Sequence, residues 1–248
     1  MPNVKKCKIL VCPVAFNENV KLKNAIERFL QSCVCDRVDY LIVDDASSDG
    51  TTEMIQGYAA RGVKTIRHPV RKGVGAAIRT AIRYAMEQEY DIVVIMAGND
   101  KDNPDEIPLL IDPILEGRCD LVQGSRYLGG NRIGGDMPAY RKMATRLHPL
   151  LLSFLVKQKV TDSTNGFRAI RLSILNDQRI NLEQEWLNGY ELEPYILFKA
   201  MTAGYRYGEA AVTKIYPSRK LGYTKMRPIV GWWSILRPLI YLGLGIKK

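Results

Sequence analysis

The chain has 248 residues, 46% hydrophobic and 25% charged, an ordinary globular balance that excludes disorder and leaves room for one sizeable core or two small ones. No internal repeat is visible. The net charge is +10, and the excess sits at the end: no acid follows Glu209, whereas Lys214, Arg219, Lys220, Lys225, Arg227, Arg237, Lys247 and Lys248 do. A basic end asks for an anionic partner: phosphate, acidic lipid or nucleic acid.

The first residues, with Lys5 and Lys6 before an apolar run, have the outline of a signal peptide. The run is short, lacks a small-residue cleavage site and passes into Asn17-Glu18-Asn19, so a first buried strand over Lys8–Val14 explains it better. A helix follows over Lys21–Ser32, with Leu22, Ile26, Phe29 and Leu30 on one face. Asp39–Val43 is a short apolar strand that runs into Asp44 and Asp45, and Asp49 is placed to cap the next helix. A strand over Val63–Arg67, a helix over Gly75–Met86 and a buried strand over Asp91–Met96 come next. Pro104–Leu115 reads as a helix with Pro and acids in its first turn, and Leu121–Gly124 as a strand. This alternation predicts an α/β fold: a mostly parallel central sheet flanked by helices. Ligands in such sheets bind beyond the carboxyl ends of the strands, where Asp44-Asp45 and Gly98–Asp102 fall.

The second half is less regular. Helices are expected over Arg141–Lys157 and Tyr190–Ala203, a polar loop over Thr161–Phe167 and a strand over Tyr205–Tyr216. No clean linker appears, so residues 1–226 read as one domain and 227–248 as a basic, aromatic appendage. A spanning helix needs about 20 mainly apolar residues, and Arg237-Pro238 interrupts the tail. Its tryptophans beside basic residues suit a membrane interface; the alternative is a helix docked on the core. The five cysteines match no zinc spacing and read as reduced thiols of a cytosolic protein.

Four segments carry candidate chemistry. Asp44 and Asp45, ahead of a Ser/Asp/Gly turn, suit the hydroxyls and N–H groups of a nucleoside, or form a solvated turn. Asp100 and Asp102 offer hard oxygen ligands for Mg2+ or Mn2+ on a diphosphate, or cap the next helix. Arg126, Arg132, Arg141, Arg146, Arg168 and Arg171 form a scattered set able to grip phosphate. Arg219–Met226 is a basic loop with Gly222 and Thr224, built to fold over phosphates or to serve as a charged connector.

Taken in order, VDDASSDGT, HPVRKGVGAAIRTAI, GSRY, DSTNGFRAIR and RKLGYTKM resemble the inverting glycosyltransferases of the A-type, Rossmann-like nucleotide-binding fold. Within them the chain is most similar to dolichol-phosphate mannose synthases and their bacterial polyprenyl-phosphate relatives, over roughly residues 8 to 226. The resemblance implies a nucleotide-sugar donor, GDP- or UDP-linked, held by Val14, Phe16, Glu18, Asp44, Asp45, Lys72 and Asn99. It implies a polyprenyl phosphate acceptor held by Arg126, Arg141, Thr145, Arg219 and Lys225. Asp100, Arg126 and Arg219 are the implied catalytic positions. The family's Asp-x-Asp motif falls on Gly98-Asn99-Asp100, so its first acid is absent, and Asp100 and Asp102 are inferred to share the metal. The implied reaction is a single in-line displacement, on a protein held peripherally at the cytoplasmic face of a membrane.

An ionised phosphate acceptor needs positioning and no strong base. A sugar hydroxyl acceptor needs one, which Glu191 or Glu193 is placed to supply. A non-catalytic sugar-nucleotide-binding homologue is the remaining alternative, motivated by Gly98. No aromatic–basic sheet motif argues for nucleic acid.

Overall fold

The structure, a computed structural model, describes residues 7–130, 132–135, 137, 139–216 and 228–247. The expected strands of the first half form where the apolar runs lie. They are β1 (Ile9–Ala15), β2 (Asp39–Asp44), β3 (Val63–Arg67), β4 (Ile92–Ala97) and β5 (Leu121–Ser125). Between them run α1 (Asn19–Leu30), α2 (Thr51–Gln56), α3 (Val74–Glu87) and α4 (Ile107–Leu115). Leu22, Ile26 and Phe29 of α1 are all buried, as their spacing requires. α2 starts one residue later than expected: Gly50 holds the cap position in the left-handed region, and Asp49 Oδ1 accepts the Thr51 N–H at 3.1 Å.

The second half contributes β6 (Ile133–Gly135), α5 (Ala139–Val156), β7 (Arg168–Arg171), α6 (Leu192–Thr202), β8 (Tyr207–Ala211), β9 (Lys214–Tyr216) and α7 (Pro228–Gly243). The main sheet has the order β3-β2-β1-β4-β7-β5-β8. Every pairing is parallel except those of β7, which is antiparallel to β4 and β5. The expected strand over Tyr205–Tyr216 is thus two: β8 joins the main sheet, and β9 leaves it to pair with β6.

Apolar clusters cover both faces of the sheet. One holds Leu239 of α7 together with Leu152 of α5 and Leu197 of α6. The described part of the tail is therefore packed on the core, not appended to it. Glu191 fixes it further by accepting from Ser234 Oγ at 2.6 Å and pairing with Arg237 at 2.5 Å. The tail still exposes Trp233 on α7 and, beyond the end of that helix, Leu244 and Ile246. No helix among the described residues is long and apolar enough to cross a membrane.

Candidate active site

The carboxyl ends of β1, β2 and β4 open onto a cavity of about 350 Å3, closed on its other sides by the start of α3, the 163–168 segment, α6 and β9. Gly73 gives α3 its approach. Its φ is +101°, its N–H donates to Asp45, and a Cβ there would meet the Asn188 carbonyl oxygen at 2.5 Å. Of the expected nucleotide positions, Val14, Phe16, Glu18, Asp45 and Asn99 line the cavity.

Asp44 and Asp45 part company. Asp45 faces the cavity and accepts from the Lys72 and Gly73 N–H groups, each at 2.8 Å, and lies 2.7 Å from His68 Nδ1. Asp44 is fully buried away from it. Its carboxylate accepts from Ser47 Oγ and Thr52 Oγ1, each at 2.5 Å, and so staples the turn after β2. Asp44, the last residue of β2, leaves the strand toward the Ser47 turn and α2, and Asp45, just past the strand end, leaves on the other side. Lys72 likewise contributes its backbone N–H, while the neighbouring Arg71 lies over the Phe16 ring at 4.1 Å and lines the cavity.

In the turn after β4 the cavity receives Asn99 and Lys101, while Asp100 and Asp102 face away from it. Asp100, with φ +57°, turns to Arg28, whose Nη1 donates to Oδ1 at 2.7 Å. Asp102 is buried with both oxygens engaged, by Lys214 Nζ at 2.5 Å and the Ala97 N–H at 3.1 Å. Gly98 has no room for the missing acid: a Cβ there would meet the Val14 carbonyl oxygen at 2.8 Å and Ala15 Cβ at 3.0 Å. A divalent cation wants several converging oxygen ligands. No group of three or more His, Cys, Asp or Glu suited to a metal occurs among the described residues. The expected sharing of a metal by Asp100 and Asp102 therefore does not fit: each carboxylate is committed to a different cation of the protein.

The cavity wall is basic. Arg126 reaches it but is 2% exposed, with Nε and Nη2 on Asp162 at 2.6 and 2.7 Å, Nη2 also on Thr164 Oγ1, and Nη1 on Tyr216 Oη at 3.2 Å. Burial disfavours its charge, but the Asp162 carboxylate outweighs that and holds Arg126 more firmly protonated than usual. Its fork is thus closed by Asp162, which corrects the expectation of a bidentate phosphate grip; Arg126 builds the wall. Arg141 differs. It lines the cavity with Nε and Nη1 buried and without a hydrogen-bond partner among the described residues. Thr145 is turned away and bonds Tyr127 Oη at 2.6 Å. Arg219 and Lys225 lie outside the described residues.

Three cavity residues were not singled out by the sequence. Tyr216 is buried, and its ring has Lys101 Nζ at 5.1 Å and the Arg141 guanidinium at 5.7 Å. Lys214 bonds Asn165 Oδ1 at 2.9 Å besides Asp102. Burial first, then Lys214, Arg141 and Lys21, push the Lys101 ammonium down to about 7, with Glu18 opposing. Between the two candidate bases the structure selects. Glu193 lines the cavity, 18% exposed and 3.2 Å from Arg168 Nη2, whereas Glu191 is buried under α7.

A mostly parallel sheet with acidic, aromatic and basic groups gathered beyond its strand ends is the arrangement in which α/β sheets bind ligands. The chain matches Glycosyl transferase family 2 over residues 11–179 and belongs to that family; it is a glycosyltransferase. It is 31% identical over 190 residues to the undecaprenyl-phosphate mannosyltransferase of Micrococcus luteus, covering 76% of this chain and 75% of that one. It is 28% identical over 220 residues to the polyprenol monophosphomannose synthase of Mycolicibacterium smegmatis, covering 88% and 80%. Among solved structures it is similar to the glucosyl-3-phosphoglycerate synthase of Mycobacterium tuberculosis in complex with Mn2+, UDP and glucosyl-3-phosphoglycerate. That match has a TM-score of 0.67 and 20% identity, over 98% of this chain and 81% of that one, and it supports the fold.

Proposed function

We propose that the protein transfers one sugar from a GDP- or UDP-linked donor to a polyprenyl phosphate with inversion. The observation that carries the reading is Arg141: two buried guanidinium nitrogens without a partner among the described residues, on the wall of a cavity that also holds Lys101 and Lys214. A buried cation left unpaired is costly, so such a wall gains from an anionic ligand. The two relatives named for undecaprenyl and polyprenol phosphate support a lipid phosphate as that anion. Phe16, with Arg71 stacked on its ring, gives the cavity a flat wall against which a base can lie, and Asp45 and Asn99 offer acceptors for ribose or base N–H.

In the reaction an acceptor phosphate oxygen attacks the anomeric carbon. The bond from that carbon to the diphosphate oxygen breaks, and its electron pair leaves with the nucleoside diphosphate. The acceptor is ionised at neutral pH, so the chain's task is to hold it in line and to spread positive charge beneath the leaving group. Mg2+ or Mn2+ on Asp100 and Asp102 is the expectation from sequence, and those residues form no shared ligand set.

α5 supports a peripheral seat on the membrane. Met143, Leu147, Leu150 and Phe154 form one stripe, and Leu150 and Phe154 are 65% and 80% exposed. Lys142, Arg146, Lys157 and Lys159 flank it, and α7 beside it exposes Trp233. Apolar groups rimmed by cations suit an anionic lipid surface.

Glu193 in the cavity favours one second reading, a sugar hydroxyl acceptor with Glu193 as base. Glu193→Gln separates the two. A phosphate acceptor predicts a small change in kcat, and a hydroxyl acceptor a loss of about 10²–10⁴-fold. A loss of that size with polyprenyl phosphate as acceptor would reject the first reading.

A further inference from the structure

Resting on the reading of the cavity as a nucleotide-sugar site, we infer that the Lys101 ammonium and the third N–H of Lys214 hold the donor diphosphate in place of a divalent cation. Three observations converge. First, the position of the missing acid is closed, because Gly98 packs against the β1 backbone and any side chain there meets the Val14 carbonyl oxygen. Second, the two nearby carboxylates are committed elsewhere, Asp100 to Arg28 and Asp102 to Lys214 and the Ala97 N–H. Third, the cavity surface that these acids leave is taken by two ammonium groups. Lys101 lies between the two acids in sequence, is buried, and stacks over Tyr216; Lys214 comes from the first position of β9.

Lys214 has an architectural advantage. Its hydrogen bonds to Asp102 and Asn165 use two of three ammonium donors and fix its position. A pre-set cation at the leaving group stabilises charge that develops there without reorganisation.

The test is calorimetric binding of UDP and GDP to the full chain in EDTA, and again with Mg2+ or Mn2+. The expected result is the same affinity in both for whichever nucleotide binds. Lys101→Met is expected to weaken nucleoside diphosphate binding on the order of tenfold to a hundredfold. It should leave binding of the free nucleoside, uridine or guanosine, unchanged. Lys101→Arg, which keeps the charge, should restore most of the loss, and thermal melting checks that both variants fold. Binding that appears only with Mg2+ or Mn2+ overturns the lysine assignment while leaving the nucleotide-site reading intact. No binding of either nucleotide under any condition overturns both.

Discussion

Asp162→Asn removes the charge opposite Arg126 at the centre of the cavity wall. Asp162 is 0% exposed and Arg126 2%, so neither is relieved by water. The carboxylate also accepts the Arg126 and Thr164 N–H groups, each at 3.1 Å. Removing one partner of such a pair leaves a buried charge uncompensated and costs about 3–5 kcal/mol. For a chain of this size that lowers Tm by roughly 6–20 °C. Burial raises the Asp162 carboxyl, but Arg126 overcomes it and holds it below its ordinary value. Its contribution is therefore present above the unfolded value of about 3.9 and lost as pH falls through the folded one. The gap between wild type and variant should thus be full at neutral pH and close in acid. The assay is calorimetric melting across pH, with Glu183→Gln as control. Glu183 pairs with Arg83 at 2.8 Å on the surface, and its loss should cost less than about 1 kcal/mol. If Asp162→Asn melts with the wild type at neutral pH, the pair does not hold the wall.

Three further outcomes are expected. Gly98→Asp should lose about 1–3 kcal/mol from overpacking against Val14 and Ala15 and gain no Mn2+-dependent UDP affinity; a stable variant with such affinity would reject the packing argument. His148, buried between Ser163 Oγ and the Ile235 carbonyl, is pushed down to about 4 by burial. The unfolded chain takes up that proton below about 6.5, so stability should fall between there and pH 4, by about 3 kcal/mol at most; denaturant melts in which His148→Asn keeps the same pH slope would deny the assignment. Leu150→Glu with Phe154→Glu should release the protein from anionic vesicles at unchanged Tm, and retention would move the membrane contact away from α5.

Much of the fold was legible because β1 to β5 are apolar runs bounded by turn residues, and each lies within a residue or two of where the runs place it. β7 was not. Its four residues, Arg-Ala-Ile-Arg, follow the polar loop expected over Thr161–Phe167 and have no apolar run to mark a strand, and Arg168 is buried with its guanidinium on the Asn165 and Glu193 carbonyls and beside the Glu193 carboxylate. α7 was read as an appendage because its apolar residues do not reveal whether lipid or core receives them; Leu239 goes to the core and Trp233 remains outside. At the site, the strand-end position of the acids was visible, but not the alternation that sends Asp45 inward and Asp44 to a turn. After β4 the chain turns, with Asp100 at φ +57°, and no strand period told which of residues 99–102 would face the cavity. Tyr216 and Lys214 carried no local signal, since the strand that delivers them pairs with β6, far away in sequence.

The central claim is tested most directly by following nucleoside diphosphate release from GDP- and UDP-sugars with the full chain, with and without a short polyprenyl phosphate. The account predicts release from one donor class that depends on the polyprenyl phosphate and yields the glycosylated lipid. Donor binding without release, or release indifferent to the lipid phosphate, would contradict it.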